Sequence, residues 1–286
     1  MRTRAFSLAM SNIAWSPDER LDAYRLMTQA GMTGLEIAPG LFFHAADDPF
    51  APDVASAEQA LREAKDYGLS LVSMQSLLFG VEGAALFEGK EARERLVAGL
   101  NRAIDLAGRF GIPNLVFGSP KQRIVPKAMP MEQAQDEAAS VFYALGDRAM
   151  QAGTVITIEA NPALYGGNFL THLEEARRFV ARVNHPAIAP ILDLGAMHVN
   201  GEFATVTDRV AGLMPALTHV HVSEPTLAPA PARAAALAPV LKALDAAGYA
   251  RWISIEMKRP QNGLTEVEAA LSRFAKSVQL AEAAHA

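Results

Sequence analysis

The stretch PMEQAQDEAASVFYALGDRAMQAGTVITIEA, residues 130–160, predicts a helix that is followed at once by a buried strand. Its first part is a long amphipathic run that ends at Gly153, and glycine is common just beyond the end of a helix. Its second part, TVITIEA (154–160), is short, apolar and rich in β-branched residues, as buried strands are. Repetition of such units along a chain is typical of α/β proteins with a parallel sheet.

The same alternation runs through the whole sequence. Each short apolar run is followed by a helical pattern, and several of these patterns end at a glycine, such as Gly31 after a start at Ser16 and Pro17. We therefore predict an α/β fold, a single (β/α)8 TIM barrel that spans residues 1–286. The eight runs that predict strands are 5–10, 34–38, 69–75, 114–118, 154–160, 187–194, 217–222 and 252–257.

A doubly wound sheet is the alternative fold. Such a sheet usually has fewer strands, and its first turn normally carries a glycine-rich fingerprint. Here the first predicted strand leads into SNIAWSPDE (11–19), which has no glycine. The barrel is therefore the better prediction, and its long loops after the strands would lie at the end where barrels build their active sites.

Composition excludes several classes of protein. The chain has no cysteine, so neither disulfides nor thiolate metal sites are available. The net charge of −5 gives no basic surface for nucleic acid. No run of about 18 apolar residues suggests a membrane span, and the short basic start reads as the lead-in to a strand rather than a signal peptide. We expect a soluble, cytoplasmic protein without nucleic-acid or membrane partners.

Polar residues occur at the carboxyl ends of the last four predicted strands. Period-two alternation places Glu159, Asp193, His221 and Glu256 on the inward face of strands five to eight. A single strand-end carboxylate is often a helix cap or half of an ion pair, but four such residues on consecutive strands favour one joint site. Three crowded carboxylates repel one another, and a divalent cation such as Mn²⁺, Mg²⁺ or Co²⁺ would relieve this repulsion.

These strand ends resemble the metal-binding strand ends of the xylose isomerase-like TIM barrels. The segments that carry the resemblance are IEANPALYGGNFL, DLGAMH, HVHVSE and SIEM, and the similar branch is that of the ketose 3-epimerases. The resemblance implies Glu159, Asp193, His221 and Glu256 as metal ligands, with Glu159 and Glu256 also acting as the two acid/base groups. It also suggests a homodimer or homotetramer.

Two departures from the epimerase pattern concern the substrate. The epimerases have a histidine three residues after the metal-binding aspartate, where this chain has Ala196, and the nearest histidine is His198. The segment SEPTLAP after the seventh strand also lacks the arginine usual in that branch. The resemblance is therefore more specific for the metal site than for the substrate.

The implied reaction is epimerisation or isomerisation of a sugar or polyol. A metal that bridges a carbonyl and an adjacent hydroxyl acidifies the carbon-bound proton and stabilises the enediolate. One carboxylate would remove this proton and the other would return a proton. The alternatives are a dehydratase of the inosose or dehydroshikimate type, an inactive binding barrel and an endonuclease IV-like phosphodiesterase.

Further polar and aromatic residues near the strand ends are candidates for substrate contacts. Several of them have a purely structural alternative. The loop cations either are solvated charges or contact an anionic group of the substrate. Gln75 either caps a loop or hydrogen-bonds a hydroxyl, and Glu36 either holds a hydroxyl or pairs with a base. We expect Lys258 to point inward with Glu256. The candidates are Gln75, Lys121, Arg123, Asn161, His198, Lys258, Trp15 and Glu36.

The remaining histidines have structural roles in this interpretation. His219, deeper in its strand than His221, is expected to hydrogen-bond an inward neighbour such as Thr157 or Ser254. No pattern of partners surrounds the other histidines considered, and we expect them at the surface: His44, His172 and His185.

Overall fold

The computed structural model describes residues 5–283 and confirms the predicted barrel. Eight parallel strands, each next to its sequence neighbour and the last next to the first, close into a (β/α)8 TIM barrel. All eight predicted strands are present, each within one or two residues of its predicted bounds. They are β1 (Ser7–Ser11), β2 (Gly34–Ile37), β3 (Ser70–Met74), β4 (Asn114–Phe117), β5 (Val155–Ile158), β6 (Ile188–Asp193), β7 (His219–Val222) and β8 (Trp252–Ile255).

Helices alternate with these strands, and short 3-10 turns occur in several of the connecting loops. Two of the helices, α4 (Lys90–Phe110) and α5 (Met131–Gln151), are long amphipathic elements whose alanine and leucine faces are buried. The helices are α1 (Arg20–Gln29), α2 (Pro39–Phe42), α3 (Val54–Asp66), α4 (Lys90–Phe110), α5 (Met131–Gln151), α6 (Leu173–Val183), α7 (Leu194–Val199), α8 (Val206–Leu213), α9 (Ala234–Ala246) and α10 (Leu264–Ala283).

The start of α1 follows the predicted capping signals. The backbone N–H and the hydroxyl of Ser16 both donate to Oε2 of Glu19, at 2.9 and 2.8 Å, and Pro17 opens a 3-10 turn that leads into α1. Beyond the other end, Gly31 has a φ of 75°, which is the left-handed conformation that glycine adopts without strain. The predicted capping serine therefore precedes a 3-10 turn rather than α1 itself, whose end residues are capped by Glu19 and Ala30, and Gly31 follows one residue beyond.

Two compact units make up the chain. One consists of the residues up to Val72 and from Leu192 onward, and the other of Ser73–Ile191. The first unit contains all of β1, β2, β7 and β8, and the second contains all of β4 and β5. Among the described residues, no helix combines the length and the apolar character that crossing a membrane requires.

Close packing inside the first unit depends on a glycine at the start of β2. Gly34 pairs with Ala9 of β1, and the ring of Trp252 lies against it from β8. A Cβ atom at Gly34 would lie 2.6 Å from the Trp252 ring and 2.8 Å from Cβ of Ala9. Both distances are shorter than van der Waals contact, so the strands could not keep this approach with a larger residue.

We predict that Gly34→Ala destabilises the protein by about 1–3 kcal/mol, because overpacking a tight site forces neighbours to shift. The measurement is the free energy of unfolding from chemical denaturation. Gly212→Ala is the matched control, because nothing lies within 4 Å of a Cβ there and alanine is favoured over glycine in a helix by roughly 0.5–1 kcal/mol. Equal stability changes in the two variants would contradict the packing argument.

Candidate metal centre

Four strands carry the predicted ligands at or near their carboxyl ends. Asp193 is the last residue of β6, and His221 is the third residue of β7. Glu159 and Glu256 come directly after β5 and β8. In a parallel barrel these strand ends lie at the same end of the molecule, where barrel enzymes place their chemistry.

His221 lies at the centre of the ligands of the first unit. Its imidazole is fully buried, and its Nδ1 atom lies 3.3 Å from Oε2 of Glu256 and 3.7 Å from Oδ2 of Asp193. Both carboxylates are only 10% exposed. One edge of the imidazole ring therefore faces two nearly buried negative charges.

The structure places the three predicted ligands of the first unit close together. Asp193, His221 and Glu256 each offer one oxygen or nitrogen atom, and these atoms lie within 4.8 Å of one another. Glu159, the fourth predicted ligand, belongs to the second unit, where it follows β5 directly. Three carboxylates and one imidazole, with no thiolate, form a donor set that suits a hard or borderline divalent ion. The clustered residues can hold a divalent metal ion.

Asp193 is held by the backbone of the next helix and by a serine. One carboxylate oxygen accepts the N–H of Ala196 at the start of α7, and the other accepts the hydroxyl hydrogen of Ser223 at 2.7 Å. The Ser223 oxygen itself accepts the N–H of Gly195 at 2.8 Å, which directs its hydrogen toward Asp193. The sequence signal for Ser223 was its position two residues after His221 on the same face.

Glu159 is held by a buried amide and a buried arginine. The side-chain N–H of Asn161 donates to Oε2 of Glu159 at 2.7 Å. One nitrogen of Arg123 donates to the Asn161 side-chain oxygen at 2.8 Å and to the Glu159 carbonyl at 2.7 Å. Because a guanidinium only donates, it fixes the oxygen of the Asn161 amide toward Arg123 and the nitrogen toward Glu159.

Arg123 therefore does not lie in a solvated loop, and the expectation of a loop charge is wrong. The residue is 1% exposed, at the end of a 3-10 turn that directs its side chain inward, 5.8 Å from the centre of the Phe117 ring. Burial lowers the pKa of Arg123 to about 10, although the nearby Glu159 charge opposes the shift. Gly118 makes room for this arrangement, since a Cβ there would lie 2.5 Å from Oε2 of Glu159.

Glu36 lies beneath His221 and contacts both histidines of β7. Its Oε2 atom is 3.0 Å from Nε2 of His221 and 3.1 Å from Nε2 of His219. Burial alone would raise the pKa of Glu36, but the charge of His221 and the contacts with both imidazoles outweigh burial and hold the pKa well below its usual range. Glu36 is completely buried, which fits its predicted pairing with a base rather than contact with a substrate hydroxyl.

The partners predicted for His219 were wrong. The hydroxyl of Thr157 donates to the carbonyl of Leu115 at 3.1 Å, and Ser254 has a buried hydroxyl without a hydrogen-bond partner in the part of the chain that the structure describes. His219 lies instead against Glu36, which comes from a strand far away in sequence. The buried position of His219 beside Glu36 fits the expected role of His219 as a support of the site.

The other candidate substrate contacts are distributed over buried and exposed positions. Gln75 is buried just after β3, and Trp15 is buried with its ring edge-on to Tyr24. Lys121 and Lys258 are exposed. The backbone N–H of Lys258 donates to the carbonyl of Leu227 at 3.0 Å, and the inward direction expected for its side chain stays a prediction.

Two histidines differ from their expected surroundings. His198 stacks on Phe203 with ring centres 3.8 Å apart and lies 3.8 Å from a Glu224 oxygen, and burial lowers its pKa. His185 is buried rather than at the surface: its Nδ1 accepts the N–H of Ala187, and its Nε2 lies 3.2 Å from Asp147. His44 is exposed, as predicted.

The fold and this cluster define a (β/α)8 barrel with a carboxylate and imidazole site at its strand ends. The sequence profile of the xylose isomerase-like TIM barrel family matches residues 24–277, so the chain belongs to that family. No curated protein sequence matches the chain significantly.

Solved structures with the same fold include sugar epimerases. A 3-keto-D-glucoside 4-epimerase from E. coli is 17% identical with a TM-score of 0.72, over 93% of this chain and 98% of that one. A D-allulose 3-epimerase from Methylomonas sp. in complex with D-allulose is 19% identical with a TM-score of 0.72, over 98% of both chains. An AP endonuclease of family 2 from Brucella melitensis is 21% identical with a TM-score of 0.67, over 96% of this chain and 98% of that one. At these identities the likeness shows the fold alone.

We predict that Asn161→Leu weakens Mn²⁺ binding by about 10–100-fold, because residues that orient metal ligands usually contribute this much. The variant removes the N–H that holds Glu159 and leaves the other ligands in place. Calorimetric titration measures the affinity, and thermal melting checks the fold. Thr154→Val is the control, since this buried hydroxyl of the same unit has no hydrogen-bond partner among the described residues. Equal affinities in the two variants would contradict the role assigned to Asn161.

Proposed function

We propose that the protein is a divalent-metal-dependent epimerase or isomerase of a sugar or polyol. The observation that carries the proposal is the convergence of one ligand atom each from Asp193, His221 and Glu256 in the first unit, and Glu159 is the proposed fourth ligand. Two of the similar structures described above are sugar epimerases, which supports a sugar-like substrate. The family and the donor set together favour proton transfer next to a carbonyl group.

Glu159, Asp193, His221 and Glu256 would hold the metal ion. When bound, a divalent ion in such a site polarises a carbonyl and an adjacent hydroxyl of a substrate and thereby acidifies the carbon-bound proton. The fit rests on the chemistry of the donor set and on the nearly complete burial of Asp193 and Glu256. Mn²⁺, Mg²⁺ and Co²⁺ all suit these donors.

Glu159 and Glu256 are the proposed acid/base pair. They follow β5 and β8, which are not neighbours in the strand order, and the proposed reaction needs one carboxyl group on each side of the reacting carbon. One carboxylate takes the carbon-bound proton, and the electron pair of that C–H bond moves toward the carbonyl oxygen. The other residue starts as a protonated carboxylic acid, and transfer of its proton to the opposite face of the same carbon gives the epimer. Protonation of the neighbouring carbon instead, with transfer of that carbon's hydroxyl proton to the former carbonyl oxygen, gives the isomer.

The remaining residues of the site hold these groups in place. Asn161 and Arg123 orient Glu159, and Ser223 orients Asp193. Trp15 and Gln75 are proposed substrate contacts, together with the loop cations Lys121 and Lys258 for any anionic substituent. A cytoplasmic location and assembly as a homodimer or homotetramer stay predictions.

We predict that Glu159→Gln and Glu256→Gln each reduce proton exchange at the substrate carbon by about a hundredfold to ten-thousandfold, the usual contribution of a general acid or base. The assay incubates ketoses, polyol ketones and their phosphates with Mn²⁺ or Co²⁺ in deuterium oxide and follows deuterium incorporation by NMR. Glu88→Gln, at an exposed position, is the matched carboxylate control and should exchange at the wild-type rate.

The products of the same assay distinguish the reaction classes. A product of unchanged mass with one inverted carbon or a moved carbonyl supports epimerisation or isomerisation. A product that has lost water would show a dehydratase instead. Wild-type exchange in both glutamine variants, with a substrate that turns over, would overturn the assignment of the acid/base pair.

We predict that a chelator abolishes this exchange and that added Mn²⁺ or Co²⁺ restores it, because the carboxylate cluster alone cannot polarise a carbonyl. Metal analysis of the purified protein accompanies the assay. Full exchange in chelated protein that contains no divalent metal would contradict the proposed metal dependence.

A further inference from the structure

A single carboxylate oxygen contacts both imidazoles of β7 inside the first unit. The Nε2 atoms of His221 and His219 lie 3.0 and 3.1 Å from Oε2 of Glu36. All three side chains are at most 1% exposed. The opposite edge of the His221 ring, with Nδ1, faces Glu256 and Asp193. The two nitrogens of His221 therefore have different surroundings.

Small residues on the two intervening strands allow Glu36 of β2 to reach the two histidines of β7. In the strand order, β1 and β8 lie between β2 and β7. The registers place Ser11 opposite Glu36, and place Ser254 opposite both Ala9 and His221. Residues opposite one another on neighbouring strands point to the same face of the sheet. At the level of Glu36 and His221, the residues that these registers place between them on that face are Ser11, Ala9 and Ser254. Their short side chains leave room for one carboxylate and two rings.

The chemistry of the partners decides which nitrogen of His221 carries its proton. A carboxylate accepts hydrogen bonds and has no hydrogen to donate when it is ionised. A metal-binding imidazole is neutral, with a lone pair on the ligand nitrogen and a hydrogen on the other. At His221 the nitrogen beside Glu36 is Nε2, so the lone pair is on Nδ1, the atom that faces Asp193 and Glu256.

We propose that Glu36 is a positioning residue that holds His221 with its hydrogen on Nε2, so that Nδ1 is the ligand atom of the metal centre. This inference rests on the proposed metal site and names the atom and the support that the site uses. His219 lies beside the same Glu36 oxygen and fills the space behind His221. Carboxylates that orient a metal-binding histidine in this manner raise its affinity for the metal.

The alternative is a second metal ion held by Glu36, His219 and His221 themselves. Their three atoms are close enough to form such a group. With both sites filled, His221 would use both nitrogens as ligands, and its ring would have to lose its last proton. The positioning role needs no such deprotonation. The positioning role of Glu36 therefore predicts a single metal ion at His221, bound on the side of Asp193 and Glu256.

The first test reads the proton on His221 directly in the protein loaded with Mg²⁺, which is diamagnetic. Two-bond correlations between the ring hydrogens and the isotopically labelled ring nitrogens separate the two forms of a neutral imidazole. We expect a hydrogen on Nε2 of His221 and none on Nδ1. A hydrogen on Nδ1 would overturn the proposal, and this measurement needs no variant.

The second test compares Mn²⁺ affinity and stoichiometry in variants of Glu36. We predict that Glu36→Leu weakens binding by about 10–100-fold, whereas Glu36→Gln, which keeps an acceptor oxygen, loses less. Ser254→Ala is the matched control, because it is opposite His221 in the register, equally buried, and loses a hydroxyl without a hydrogen-bond partner in the described chain. Thermal melting confirms that each variant is folded.

The outcomes separate this inference from the proposed function. Wild-type affinity in both folded Glu36 variants, or a wild-type stoichiometry of two ions that falls to one in these variants, would overturn the positioning role while the proposed function stands. A wild-type protein that binds no divalent ion under any condition would overturn the proposed function itself. One ion in the wild type, with the graded loss described above, supports both.

Discussion

The central constraint on this barrel is the electrostatic repulsion among carboxylates near His221. Asp193 and Glu256 are each only 10% exposed, and each offers an oxygen within 4.8 Å of the other's. Like charges at such distances repel strongly where water is largely excluded. A divalent cation at this position would remove the repulsion and turn the same charges into ligands. The proposed metal dependence follows from this repulsion.

Each ligand has its own support, and the supports differ in kind. Ser223 and the start of α7 hold Asp193, while Asn161 and Arg123 hold Glu159. Glu36 lies against the far edge of the His221 ring. Glycines at positions 118 and 195 leave space next to Glu159 and Ser223 where a Cβ would collide. Such supports restrict the orientation of the proposed ligands, as the surroundings of metal sites do in other proteins.

Most of the fold, and the position of the proposed ligands at or near strand ends, could be predicted from the sequence because both depend on short-range periodicity. Eight short apolar runs, each followed by a helical pattern, predicted the eight strands, and several of the helical patterns end at a glycine. Period-two alternation placed Asp193 and His221 on inward faces near their strand ends. The supports could not be predicted in the same manner. Arg123 reads as a loop cation until its turn directs it inward, and Glu36 reaches its histidines across two intervening strands. Such contacts depend on the register of distant segments, which local patterns do not encode.

The most direct test of the account is anomalous diffraction from crystals of the protein grown with saturating Mn²⁺. The account predicts one strong peak among the carboxylates of Glu159, Asp193 and Glu256, on the Nδ1 side of His221. A peak between Glu36 and His219, or no peak within the four-residue cluster, would contradict it.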